Sequence, residues 1–166
     1  MPGVGKSTIG RHLARRIGVP FIDTDSMIER RIGCPIRVFF EEYGEAQFRE
    51  IESEVLAESV NPQAGVVATG GGIVLSEANR TLLHSHTVCV YLCAGPEELY
   101  KRLRHDSKRP LLQVADPLGR LRELYAKRDP LYRQASHYVL EVAHGPLPSL
   151  LNRVQMQLEV SGVIRA

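Results

Sequence analysis

The sequence predicts an α/β fold with a parallel sheet flanked by helices in three layers, and three observations carry that prediction. Short apolar runs of strand length alternate with stretches of helical periodicity from one end of the chain to the other. Near the start, MPGVGKST places Gly3, Gly5, Lys6 and Ser7 at the mouth of a helix, the latter part of the phosphate-loop pattern G-x-x-x-x-G-K-[ST]. Further on, GVVATGGG stops an apolar run on Gly70, Gly71 and Gly72. Glycines weaken a strand, so three in a row suit backbone that a ligand approaches closely.

Taken in order, residues 7–17 set Ile9, Leu13 and Ile17 at helical spacing and stop at Gly18, a C-cap residue. PFIDTD reads as a short buried strand with carboxylates at its end. From Ser26 to about Val60 the pattern is helical, punctuated at Gly33 to Pro35 and at Gly44. Within it Phe48, Ile51 and Val55 form one apolar stripe, with Glu45, Arg49 and Glu52 off it. GVVA and TVCVYL fit interior strands, and SEANRTLLHSH between them fits a helix with Ser76 as N-cap. Pro96 opens the helix PEELYKRLR, with Leu99 and Leu103 on one side. Residues 117–135 return to helical spacing, HYVLEV at 137–142 is a last strand, and Leu147 to Val160 a closing helix.

At 166 residues the chain suits one domain, 1–166. Its 43% hydrophobic and 24% charged content is that of a globular protein rather than a disordered or collagen-like one. There is no apolar run of membrane-spanning length and no basic-then-apolar leader, so no membrane partner is expected and the cytoplasm is the default location. A net charge of +2 gives no field for nucleic acid, and the basic run RLRHDSKRP at 102–110 has no aromatic platform beside it. Cys34, Cys89 and Cys93 form no C-x-x-C pair and no metal-ligand spacing, so buried reduced thiols are expected.

A phosphate loop of this kind is anchored at the carboxyl end of a strand. Counted back from Gly5, the first glycine of the pattern falls one position before Met1, and the anchoring strand before that. The expectation is either that upstream residues supply both, which is the simpler account, or that the chain folds with its central strand missing.

The chemistry these residue types permit is phosphoryl transfer. Glycines turn backbone N–H groups toward phosphate oxygens, a helix N-terminus adds positive potential, Lys6 reaches the terminal phosphates and the Ser7 hydroxyl can ligate Mg²⁺. Asp23 and Asp25 stand on one side of an extended strand end, where one could approach a metal shell and the other take a substrate proton; they equally suit a turn and a helix N-cap. Arg109 lies in the long aperiodic stretch, either a solvated charge run or a lid. Arg128, in AKRDPLY, falls at a helix end, where arginine also suits the dipole.

In this order and at these separations, GVGKST, FIDTD, GEAQFRE, ATGGG, KRPLL and KRDPLY resemble the shikimate kinase family, from Gly3 to about Tyr138. The resemblance implies a P-loop NTPase fold of the nucleoside-monophosphate-kinase type, with ATP as co-substrate, Mg²⁺, and shikimate phosphorylated at its 3-hydroxyl. It implies that Gly3, Val4, Gly5, Lys6, Ser7 and Thr8 hold the ATP phosphates, with Ser7 and Asp23 serving the metal. It further implies that Asp25 meets the reacting diol, Arg49 and Arg128 clamp the shikimate carboxylate, and Gly70 to Gly72 border the substrate. Arg109 would swing in with a lid over about 104–116, and a segment over about 24–53 would bind substrate. A monomer is expected. A gluconate-type kinase and a catalytically impaired binding relative remain as alternatives.

Overall fold

The computed structural model describes residues 1, 3–61, 65–103, 114–142 and 146–165. The chain enters α1, Lys6–Ile17, directly from the glycine loop. Gly5 (φ 86°) and Gly18 (φ 71°) bound this helix in the left-handed region that glycine tolerates, and Ile9 and Leu13 point into the core. β1 (Phe21–Asp23) follows and ends on Asp23, whose side chain accepts hydrogen bonds from the N–H groups of Asp25 and Ser26 and so caps α2, Thr24–Ile32.

α3, Ile36–Ser59, is one long helix broken at Gly44, where φ 81° and ψ 177° are open only to glycine. α2 and α3 share a small apolar cluster of Ile28, Phe39, Phe48 and Val55. β2 (Val66–Ala68) then leads through the three glycines into a 3₁₀ turn, Ile73–Leu75, which the sequence pattern does not announce. α4 (Glu77–His86) is capped by Ser76, as expected, and is followed by β3 (Val90–Cys93) and α5 (Pro96–Leu103). β3 begins three residues into the TVCVYL run rather than at its start. α6 spans Pro117–Ala135 and continues through Pro130; β4 is Tyr138–Glu141, and α7, Leu147–Val160, closes the fold. Leu56, Leu99 and Leu121 are fully buried in the main core.

All strand pairing is parallel, as predicted, but it forms two separate pairs. β1 runs beside β2 with Phe21, Ile22 and Asp23 opposite Val66, Val67 and Ala68. β3 runs beside β4 with Val90 to Cys93 opposite Tyr138 to Glu141. Among the described residues no strand joins β2 to β3. A cavity of about 470 Å³ lies between them, bordered by both strands.

The cysteines are free: Cys93 is buried, while Cys34 and Cys89 are only partly so. Burial pushes the Cys89 thiol up to about 11, which keeps it protonated. No helix among the described residues is long and apolar enough to cross a membrane.

Candidate active site

The phosphate loop is built by backbone rather than side chains. Gly3 takes φ 79° and packs so closely on Leu103 that a Cβ would fall 2.7 Å from Leu103 Cδ2. Val4 is buried beneath the loop, whereas Gly5, Ser7 and Thr8 are exposed at the start of α1. The first turn of α1 has no side-chain cap and no acidic residue, so its N-terminal dipole faces outward uncompensated. Lys6, partly buried, donates from Nζ to the Met1 carbonyl at 2.9 Å. Met1 is itself buried, and burial, with Lys6 and Arg128 adding to it, pushes its α-amine down to about 4. Lys6 and Arg128 thus act on one locality although they lie at opposite ends of the sequence.

The rest of the site gathers on the three glycines that follow β2. Gly70 donates its N–H to Thr24 Oγ1, 3.3 Å. A Cβ there would stand 2.7 Å from Asp25 Oδ1 and 3.0 Å from Glu52 Oε1, so both carboxylates press on Gly70. Gly72 lies against the Arg49 guanidinium, and Gly71 against Tyr132 Oη and Arg128 Nη1. The Tyr132 hydroxyl donates to the Gly71 carbonyl at 2.6 Å, and its ring stacks on Tyr91 at 4.8 Å, which ties the glycine loop to α6. Asp25, Arg49, Arg128 and Gly70 to Gly72 therefore lie together.

Arg49 is held from several sides. Nη1 pairs with Glu52 Oε2 at 2.6 Å, Nη2 with Glu45 Oε1 at 2.9 Å, and the guanidinium lies over the Phe48 and Phe40 rings at 5.3 and 5.8 Å. Burial opposes its charge, but Glu52 and Glu45 outweigh that and raise its pKa. Glu52, only 1% exposed, has its pKa raised by burial and by Asp25, with Arg49 and Arg128 pulling the other way.

Arg128 differs. It sits inside α6, seven residues before the helix ends at Ala135, because α6 continues through Pro130; a role at a helix terminus is thereby removed. Its Nε is buried and has no hydrogen-bond partner. Next to it, Asp129 accepts from Tyr91 Oη (3.0 Å) and from Arg133 Nε (2.8 Å), which anchors this part of α6 to β3. A buried guanidinium N–H left unpaired is uncommon and costs about 1–3 kcal/mol, so it points to an acceptor that arrives with a ligand.

Two residues of this site escape the sequence reading. Glu52 shares a helix face with Glu45 and Arg49 at spacings of seven and three, and Tyr132 lies four residues after Arg128; that spacing is the signal that could have found them. Asp23 does serve as a helix cap, through Oδ1. Arg109 and residues 104–113 of the expected lid lie outside the described residues.

A glycine loop opening onto a helix N-terminus, beside a cluster of two arginines and a carboxylate on a parallel α/β core, defines a phosphotransferase of the P-loop kinase class. The shikimate kinase family model matches residues 2–159. The chain is 54% identical to a shikimate kinase of Paracidovorax citrulli, over 98% of its own length and 91% of the relative's. It is 48% identical to one from Ralstonia nicotianae, over 98% and 85%. Its structure resembles that of an Acinetobacter baumannii shikimate kinase in complex with shikimate, with a TM-score of 0.89 and 42% identity over 96% of this chain and 89% of the other. A shikimate kinase from Aquifex aeolicus matches with a TM-score of 0.84 and 28% identity, over 98% and 94%. The chain belongs to the shikimate kinase family.

Proposed function

We propose that this chain transfers the γ-phosphoryl group of ATP to the 3-hydroxyl of shikimate, giving shikimate 3-phosphate and ADP. The observation that carries the reading is the buried, unpartnered Nε of Arg128 in a cluster with Arg49, Asp25 and Gly70 to Gly72. A planar guanidinium fork fits a carboxylate in two places at once, and two such forks set a ring acid in a single orientation. Asp25 then faces the hydroxyl that must lose its proton, and Lys6 with the Gly3 to Thr8 backbone holds the phosphates. Phosphoryl transfer has a loose transition state, so positioning the acceptor and neutralising spread charge account for most of the catalysis.

Among the described residues no three His, Cys, Asp or Glu side chains gather to hold a metal. Mg²⁺ takes few protein ligands and keeps phosphate and water oxygens. Ser7 would ligate it directly, and Asp23, with one oxygen occupied as a cap, would support it through water. A metal held there would supply positive charge to offset that of the phosphates. On this reading residues 1–166 act as one catalytic domain, a cytoplasmic monomer without nucleic-acid or membrane partners. Residues 24–53 carry the substrate segment.

The experiment is ADP release from ATP, measured with shikimate, with gluconate and without Mg²⁺. Release that needs both Mg²⁺ and shikimate, with gluconate inert, is the expected result. Equal turnover of gluconate, or no shikimate-dependent release from folded protein, overturns the reading.

Gly72 gives a finer check. A methyl group there would collide with the Arg49 guanidinium, so Gly72→Ala must push Arg49 off its pose between Glu45 and Glu52. The expected effect is about a tenfold rise in KM for shikimate with KM for ATP unchanged, the scale of one charged hydrogen bond lost. Steady-state kinetics with each substrate varied in turn decides it; an unchanged shikimate KM counts against Arg49.

A further inference from the structure

Arg128 and Tyr132 stand four residues apart on α6, so their side chains rise from one face of the helix. The backbone between them is weakened, because Pro130 has no N–H to give the Ala126 carbonyl and the turn that carries Arg128 loses a rung of its ladder. Side chains hold that turn instead. Tyr91, buried on β3, donates from Oη to Asp129 Oδ1 at 3.0 Å and stacks its ring on Tyr132 at 4.8 Å, so one rigid residue braces α6 on both sides of Pro130.

Tyr132 reaches further. Its hydroxyl has one proton and two lone pairs. The proton goes to the Gly71 carbonyl at 2.6 Å, and a lone pair accepts from the Arg128 guanidinium. A Cβ on Gly71 would stand 3.2 Å from Tyr132 Oη and 3.8 Å from Arg128 Nη1, so hydroxyl, guanidinium and glycine backbone close on one point. Arg128 Nε, buried and without a partner, stays open in this arrangement.

We propose that Tyr132 is a positioning residue for the acid substrate: anchored on the Gly71 carbonyl, its hydroxyl holds the Arg128 fork in place before the substrate carboxylate arrives. The inference rests on the proposed role of Arg128 toward that carboxylate. An unrestrained arginine side chain has many rotamers to lose when it pairs with a ligand. One already tethered loses fewer, and the difference appears as affinity. A tyrosine suits the task, since two χ angles and a buried, stacked ring leave its hydroxyl little freedom.

Tyr132→Phe keeps the ring and its stack on Tyr91 and removes only the bridging oxygen. It is measured alone, beside Arg128→Ala, and as the double variant, with shikimate and ATP varied in turn. Alone, it is expected to raise KM for shikimate about five- to tenfold, the scale of one hydrogen bond, with KM for ATP and kcat within about twofold of the parent. In the Arg128→Ala background the same change is expected to add less than about twofold, because the group that Tyr132 positions is gone. A merely structural role would raise both KM values and carry over in full to the double variant. An unchanged shikimate KM in Tyr132→Phe beside a raised one in Arg128→Ala overturns this inference alone, as does a parallel rise for ATP or full additivity in the double variant. If Arg128→Ala itself leaves the shikimate KM unchanged, or the parent shows no shikimate-dependent ADP release, the reading of Arg128 falls and this inference falls with it.

Discussion

Lys6→Ala is expected to lower kcat by about 10²–10³-fold, or roughly 3–4 kcal/mol of transition-state stabilisation, the scale seen when a charge-stabilising group is removed from a reacting centre. The magnitude follows from what Lys6 does before and during reaction. Its ammonium donates to the Met1 carbonyl at 2.9 Å, partly out of water. On phosphate binding it exchanges a neutral acceptor for an anionic one whose charge grows as the bond to the γ-phosphoryl loosens. An interaction that strengthens toward the transition state lowers kcat and kcat/KM together when lost, whereas a purely anchoring lysine would move KM alone. Lys6 opens α1 but supplies little of its buried face, which is Ile9, Gly10, Leu13 and Ala14. The variant should therefore keep its helical content and melting temperature. Near-normal kcat in a folded Lys6→Ala protein removes the phosphate-loop role.

The contrast between what was and was not legible in the sequence has a physical basis. α1, the α2–α3 pair and α4 were readable because caps and punctuation are local: Gly18, Gly33, Gly44 and Ser76 each satisfy or break backbone geometry within a turn of where they stand. The site residues with distinctive side chains, Lys6, Asp25, Arg49 and Arg128, were readable through motifs. Glu52 and Tyr132 were not, since a carboxylate on a helix and a tyrosine near its end look like ordinary surface and core residues until the fold brings them to Gly70 and Gly71. Placing Arg128 at a helix end failed for a related reason: Pro130 suggests a stop, yet α6 holds through it, with Asp129 fastened to Tyr91 and Arg133 and Tyr132 to Gly71 on either side. Tertiary anchors of that kind outweigh the lost N–H and have no signature in a single sequence. The separation of the sheet into two pairs depends on what lies between β2 and β3, which strand propensity in either run cannot report.

Arg128→Ala is expected to raise KM for shikimate by about 10- to 100-fold, the range for a charge-assisted hydrogen bond to a substrate, with a much smaller change in kcat. The carboxylate that Arg128 is proposed to meet takes no part in bond making, so its contribution is close to equal in ground and transition states and appears mainly as binding. The structure adds a second, sharper expectation. Removing a partnered buried arginine normally destabilises a protein, because it strands the acceptor. Arg128 Nε has no partner among the described residues, so its removal relieves one unmet donor and costs the fold the packing of its stem together with the guanidinium's hydrogen bond to Tyr132 and its attraction for Glu52. Thermal melting should leave the variant's midpoint within a few degrees of the parent without shikimate, while the rise that shikimate gives the parent is largely lost. Arg128→Lys should recover little, since a point charge cannot reproduce the planar fork. A variant that melts far lower without ligand, or that binds shikimate as the parent does, would show that Arg128 braces α6 rather than the substrate.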